Sequence, residues 1–158
     1  MKRFLSIRTM IVTLSLLLAS ISVAAQERPF SASGNGTATF ITDASGNIVG
    51  ANVTSSGTGT HLGSWTSVGQ IQFTPDPDNP TILHPSGAAT FMAANGDKLE
   101  IVLENGNLDV TTGIATGTFR FVGGTGRFAG ATGSTSVVVT QNLATGAFQL
   151  NTVGNIVY

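Results

Sequence analysis

Two histidines and several carboxylates are the side chains of this sequence that could bind a metal ion or transfer protons. His61 and His84 are its only histidines, and they lie on separate segments. A metal site would require both imidazoles to converge with a carboxylate such as Asp76 or Asp78, because zinc takes three or four nitrogen, sulfur or oxygen ligands. The spacing matches no metal-ligand motif. We therefore interpret both as surface or loop-packing histidines and predict no metal site and no cofactor.

Nucleophilic catalysis has little support in the sequence. Cysteine is absent, which excludes a cysteine nucleophile and thiolate metal sites. Serines are numerous, but none lies in the Gly-x-Ser-x-Gly pattern of a nucleophile elbow. Lys98, Glu100 and Glu104 alternate with apolar residues, a pattern typical of a solvated strand face. Arg120 is likewise expected to face solvent, because an unpaired arginine is rarely buried.

The densest glycine cluster, at 122–133, formally contains the Gly-x-Gly-x-x-Gly/Ala dinucleotide fingerprint at 124–129. That fingerprint binds a pyrophosphate only where a strand runs into the N-terminus of a helix. Strand-like sequence follows this cluster instead. We therefore predict a tight glycine-rich corner in which Phe128 closes one end of the fold.

The elements that must position these residues are strands. No window repeats with a period near 3.6, whereas several alternate with a period of two, as in 98–104, where Leu99, Ile101 and Leu103 share one face. Trp65, on the 64–74 segment, lies on such a face too. Asn-Gly pairs and the proline-rich stretch 75–80 mark turns and loops. The predicted strand segments are 35–42, 48–60, 64–74, 86–94, 98–104, 114–122, 134–141 and 147–157.

Residues 1–25 have the features of a cleavable signal peptide. Lys2, Arg3 and Arg8 precede an apolar run that is too short for a comfortable membrane span, and small residues lead to a cleavage site after Ala25. We predict a secreted or periplasmic protein whose mature form, 26–158, is one domain without a membrane span. That form has four basic and eight acidic residues, a formal charge of −4. So few cations argue against nucleic acid and anionic membranes as partners.

One motif carries a family resemblance. The run Gly123, Gly124, Thr125, Gly126, Arg127, Phe128, followed by Ala131, Thr132 and Gly133, resembles the signature of plant dirigent proteins and of the related allene oxide cyclases. The resemblance implies an eight-stranded antiparallel β-barrel with an internal hydrophobic cavity, and homo-oligomers occur among the plant members. The resemblance does not assign an activity of those plant proteins to this chain. Thr132 stands where dirigent proteins usually have an arginine, and no motif match gives Glu100 or Glu104 the role of the cyclase carboxylate.

These observations lead us to expect an all-β, eight-stranded antiparallel barrel that binds a small hydrophobic molecule. Four aromatic side chains are candidates to line its cavity, with plain core packing as an equally good interpretation: Trp65, Phe91, Phe119 and Phe121. Two alternatives stay open. The barrel could be an isomerase, cyclase or coupling-directing protein that works mainly by positioning a reactive intermediate. It could also be a structural extracellular protein whose interior is filled by its own side chains.

Overall fold

The computed structural model of the protein describes residues 26–158, which form a closed barrel of eight antiparallel strands. The strands are β1 Glu27–Thr42, β2 Ile48–Gly59, β3 Gly63–Pro75, β4 Ile82–Ala93, β5 Lys98–Asp109, β6 Ile114–Gly124, β7 Thr132–Gln141 and β8 Ala147–Val157. A short 3₁₀ helix, Gly126–Phe128, joins β6 to β7. The predicted fold class and strand number are confirmed, whereas the predicted signal peptide, 1–25, lies outside the described residues.

The strands follow one another around the barrel in chain order. Each pairs antiparallel with its sequence neighbours, and β8 returns to pair with β1, from Glu27 opposite Val157 to Thr37 opposite Ala147. Full closure removes free sheet edges, which would otherwise invite pairing with another chain. Closure therefore depends on contacts between the two ends of the described sequence.

The up-and-down order gives the barrel two distinct ends. Loops 43–47, 76–81, 110–113 and 142–146 lie at one end, which we call the open end. The opposite end, called the closed end, carries loops 60–62, 94–97 and 125–131 together with the start of β1 and the finish of β8. The loops predicted at 43–47, 95–97 and 142–146 fall at these ends.

Three strands extend well beyond the predicted segments, by four or more residues. β1 begins at Glu27 rather than at residue 35, β4 at Ile82 rather than at 86, and β5 continues to Asp109 rather than 104. The pairing of β4 with β5 is interrupted between Leu83 and Gly87. Asn105, opposite this interruption, adopts a positive φ of 52°. A β-bulge of this kind interrupts the alternation of apolar and polar residues, so the sequence pattern predicts that the strand ends there.

Large aromatic side chains fill the closed half of the interior. Phe30 packs edge-on against Phe121 with ring centroids 5.0 Å apart, and Trp65 against Phe91 at 4.8 Å. At the closed end Phe128 is 0% exposed. Edge-to-face aromatic pairs contribute about 0.5–1.5 kcal/mol each beyond their buried area. This half of the barrel is a solid core.

Glycines on β1 make room for these rings. A Cβ on Gly34 would lie only 2.7 Å from two carbons of the Trp65 ring. One on Gly36 would collide with the ring of Phe148. The missing side chains of β1 are therefore replaced in space by aromatic rings that reach across from β3 and β8.

Candidate functional site

The open half of the barrel contains a cavity of about 110 Å³. Side chains from all eight strands surround it, and its lining extends to Phe73 and Gln141 at the open end. The residues that line it are Ala38, Ala51, Val53, Ser55, Ser67, Ile71, Phe73, Pro85, Ala88, Ala89, Ile101, Leu103, Leu108, Ala115, Thr116, Phe119, Val137, Val139, Gln141, Phe148 and Leu150.

The cavity exists because small residues meet in one part of the interior. Ala38 on β1, Ala51 on β2, Ala89 on β4 and Ala115 on β6 all face it. Their methyl groups leave part of the interior open, whereas at Gly34 the Trp65 ring occupies the space. Strand number fixes the diameter of a barrel, so small side chains that coincide at one level leave unfilled space.

The cavity is apolar apart from a few uncharged groups. The hydroxyls of Ser55 and Ser67 lie 2.7 Å apart on neighbouring strands, so that one donates a hydrogen bond to the other. Gln141 adds an amide at the open end, and among residues 26–158 no titratable side chain lines the cavity. Pairing the two hydroxyls reduces the cost of keeping them in an apolar space. A wall of this kind favours a hydrophobic occupant, and its polar groups within residues 26–158 are hydroxyls and one amide.

The size of the cavity limits what can enter it. Pockets for drug-sized ligands measure about 300–1,000 Å³, and an apolar cavity of about 150 Å³ accepts benzene. At about 110 Å³, this space suits a single small ring or a single alkyl chain. A longer molecule would have to leave its remaining part outside the open end.

The four aromatic candidates are divided between the cavity and the core below it. Phe119 lines the cavity. Phe91 packs behind it with ring centroids 6.3 Å apart, and Trp65 packs on Phe91. Phe121 lies against Phe30 in the closed half. All four are buried, but only Phe119 can touch an occupant of the cavity.

The glycine-rich motif forms the corner at the closed end, far from the cavity. Gly123 and Gly124 end β6, and Gly133 lies near the start of β7. Thr125 fixes the corner to β5, because its amide donates to the Lys98 carbonyl at 2.8 Å and its hydroxyl accepts the Lys98 amide at 3.0 Å. The motif therefore seals the barrel rather than lining its interior.

Asp97, on the neighbouring hairpin, anchors the corner. Its Oδ2 accepts hydrogen bonds from the Nε of Arg127 at 3.0 Å and from the Arg127 amide at 3.3 Å. The Asn95 side chain and then the Arg127 guanidinium lower the pKa of Asp97. Gly126 has a φ of +58°, and a Cβ there would collide with the Asp97 carboxylate. Both the left-handed backbone and this close approach require glycine.

The two histidines lie at opposite ends of the barrel. His61 is in a closed-end loop, with Nε2 3.0 Å from the Pro29 carbonyl oxygen and Nδ1 3.0 Å from the Tyr158 hydroxyl. His84 lies on β4 near the open end. Within residues 26–158, no three His, Asp or Glu side chains cluster closely enough to hold a metal ion. The convergence that a metal site would require does not occur.

Both nitrogens of His84 face hydrogen-bond acceptors. Nε2 lies 3.0 Å from the Asp76 carboxylate, and Nδ1 lies 3.1 Å from the Gly106 carbonyl oxygen. Only the protonated imidazolium can donate to both. The bond to Asp76 and then that to Gly106 raise the pKa of His84. The His84 bond, followed by the Asp78 and Asn79 amides, lowers the pKa of Asp76.

This His84–Asp76 pair ties loop 76–81 to the bulge between β4 and β5. Because both imidazole nitrogens are engaged, neither is free to bind a metal or to act as a base. On the outer wall one pair of charged residues is joined in the same way: Arg120 Nε lies 2.7 Å from Glu104. Glu100 is exposed on the same outer face, so neither glutamate reaches the cavity.

Sequence reasoning missed the alanines and serines that define the cavity. Large apolar residues in a sequence indicate a core, whereas an unfilled space is indicated by small residues. Small residues are common both in buried and in exposed strands, so they do not single out a cavity. The signal was the alternation of Ala51, Val53, Ser55 and Gly57 on β2, whose inward side chains are all small or medium in size.

No protein-family model matches the chain, and no match was found among curated proteins. Within residues 26–158, no helix has the length and apolar character needed to cross a membrane.

Proposed function

We propose that this protein is an exported β-barrel that binds a small hydrophobic molecule. The observation that carries the proposal is the apolar cavity of about 110 Å³, without a titratable side chain, in the open half of a barrel whose other half is solid. Binding there would bury apolar ligand surface, which stabilises a complex by roughly 25 cal/mol per Å² removed from water. We also propose that the chain is a dirigent-like or allene oxide cyclase-like protein, because its glycine motif joins two strands of an eight-stranded barrel.

The cavity wall supports binding over catalysis and over a purely structural role. An isomerase or cyclase that relied on acid–base groups would place a carboxylate or an arginine against its substrate. The wall offers Phe119, the Ser55–Ser67 pair and Gln141 as its distinctive contacts. A structural barrel, in contrast, would gain stability by filling the space, because an empty cavity costs about 24 cal/mol per Å³.

Two experiments test the proposal. Native mass spectrometry of mature protein purified from its own host, followed by extraction, should reveal a stoichiometric apolar molecule. The intact mass should correspond to a chain beginning at Gln26 if export and cleavage occur as proposed. Size-exclusion chromatography with light scattering would show whether the mature protein is the homo-oligomer that the resemblance allows.

An NMR titration with n-hexanol locates the binding site independently of the natural ligand. Amide shifts are expected at Ala51, Ala89 and Phe119, which line the cavity, and not at Phe128 in the sealed corner. An absence of shifts at up to millimolar hexanol, together with an empty protein from the host, would overturn the binding proposal and favour the structural alternative.

A further inference from the structure

The net negative charge of the barrel is concentrated at the open end. The acidic residues in or beside the open-end loops are Asp43, Asp76, Asp78 and Asp109. Among the described residues, no lysine or arginine lies in these loops. The charged residues of the closed half balance one another: Glu27, Asp97 and Glu100 against Arg28, Lys98 and Arg127. Since Glu104 pairs with Arg120, the formal charge of −4 belongs to the end where the cavity lies.

Asp43 and Asp109 are held in their ionised form by the turns they stabilise. Asp43 accepts the Ser45 and Asn47 amides, and Asp109 accepts the amide and hydroxyl of Thr111. The Asn47 side chain and then these amides lower the pKa of Asp43, and the bonds from Thr111 lower the pKa of Asp109. The carboxylates serve the turns and are not themselves a binding site. Their effect on a ligand is the negative potential that they create around the cavity.

One titratable cation faces this end, and its charge is compensated. His84 contacts Asp76 through Nε2 and the Gly106 carbonyl through Nδ1. When the imidazole is protonated, its positive charge lies 3.0 Å from a carboxylate. Asp78, in the same loop, and Asp109, at the end of the adjacent strand, are also negative. No element packed around His84 supplies a counter-charge for an anion.

A polar head group on a cavity ligand must lie at the open end, because the closed end is filled by Phe128 and its neighbours. A carboxylate head would meet negative charges there and no lysine or arginine. An ammonium head would meet a net attraction, because the aspartates outnumber the one imidazole, that of His84. We propose that the cavity selects a cationic amphiphile, such as an alkyl or aryl amine, and discriminates against the matched carboxylate. This inference rests on the proposed function.

The expected discrimination follows from Coulomb's law. With His84 protonated, the four aspartates and one imidazolium leave a net of about three negative charges at this end. For a head group about 10 Å from these charges in water, the amine should bind about fourfold to fivefold more tightly than the matched alcohol at 10 mM salt, and the carboxylate more weakly by the same factor. The amine and the carboxylate would then differ about twentyfold. At 150 mM salt each step should shrink to about twofold, because the Debye length falls to about 8 Å.

Titrations of the mature protein with n-hexylamine, n-hexanol and n-hexanoate at pH 7 and both salt concentrations test the proposal. A double variant, Asp78→Asn with Asp109→Asn, removes two charges, and asparagine at 109 keeps the oxygen that accepts from Thr111. It should reduce the amine-to-carboxylate ratio at low salt from about twentyfold to about threefold. The control, Glu27→Gln with Glu100→Gln, removes the same charge from the closed half and should leave the ratio almost unchanged.

The outcomes separate this inference from the function beneath it. If hexanol binds but hexanoate binds equally well at low salt, the charge selection is wrong and the hydrophobic site stands. Equal effects of the two double variants on the amine-to-carboxylate ratio would also contradict the charge selection. They would indicate that binding responds to the total charge of the protein rather than to the charges at the open end. If none of the three probes perturbs the cavity residues, both proposals fail.

Discussion

Replacing Ala51 with leucine should stabilise the protein and abolish ligand binding together. Ala51 is 1% exposed and faces the cavity from β2. Leucine adds three carbon atoms, which correspond to about 2.4 kcal/mol at about 0.8 kcal/mol per buried methylene. Filling a cavity of about 110 Å³ has a ceiling of about 2.6 kcal/mol at about 24 cal/mol per Å³. Rotamer strain reduces these values, so we expect a gain of about 1–2 kcal/mol in the free energy of unfolding.

The matched control is Ala93→Leu. Ala93 is 3% exposed in the solid closed half and lines no part of the cavity. The same added carbons should overpack this site and destabilise the protein by about 1–3 kcal/mol. Urea denaturation measures both free energies of unfolding, and the hexanol titration measures binding.

Two results would refute this reasoning. If Ala51→Leu destabilises the protein as much as Ala93→Leu does, the open half is already filled in solution and the cavity is not a binding site. If Ala51→Leu is stabilising but hexanol still binds with unchanged affinity, the ligand occupies another surface.

Three further predictions concern the parts that hold the barrel in shape. Phe128→Ala should lower the free energy of unfolding by about 3–5 kcal/mol, and Phe128→Leu by clearly less, in urea denaturation. Gly126→Ala should destabilise more than Gly130→Ala: both positions have positive φ, but only at Gly126 does the added methyl collide with a carboxylate. The contribution of the His84–Asp76 pair should be greatest between about pH 4 and pH 6.5, the unfolded pKa values of the two groups. Because the pKa of His84 is raised on folding, the stability that His84 contributes is lost as the pH rises through its pKa in the folded protein. Because the pKa of Asp76 is lowered on folding, the stability that Asp76 contributes is lost as the pH falls through its pKa in the folded protein. Urea denaturation across pH should show this profile, and His84→Gln should flatten it; an unchanged profile would contradict the assignment.

The strand count could be predicted because its signals are local. Alternation of Leu99 and Ile101 with charged residues marks an inward face, and Asn95-Gly96 marks the hairpin before it; both residues of β5 are buried as expected. The early part of β1 escaped prediction because Gly34 and the residues around it are small or polar. The burial of this segment depends on Trp65, which lies on β3, two strands later in the chain, and which no pattern near β1 indicates.

The cavity was harder to predict than the barrel because burial and ligand contact are different properties. Large rings were expected to line it, yet Trp65 and Phe91 pack with each other and close the interior. A cavity depends on which side chains occur at the same level of different strands. That information requires register, and register depends on pairings such as Ala38 with Val53 that no single segment specifies.

The glycine corner and the cavity lie in different halves of the barrel, and we expect the first to serve stability and the second to serve binding. Asp97, Thr125 and Phe128 fix and seal the closed end, and aromatic pairs fill the half behind it. A protein of this size that lacks disulfides must draw its stability from such packing. With stability concentrated in one half, the other half can tolerate an unfilled interior whose cost is about 2.6 kcal/mol. The motif that carries the family resemblance would then act on binding indirectly: substitutions in the corner should change the stability of the protein, whereas substitutions at Ala51 or Phe119 should change what it binds.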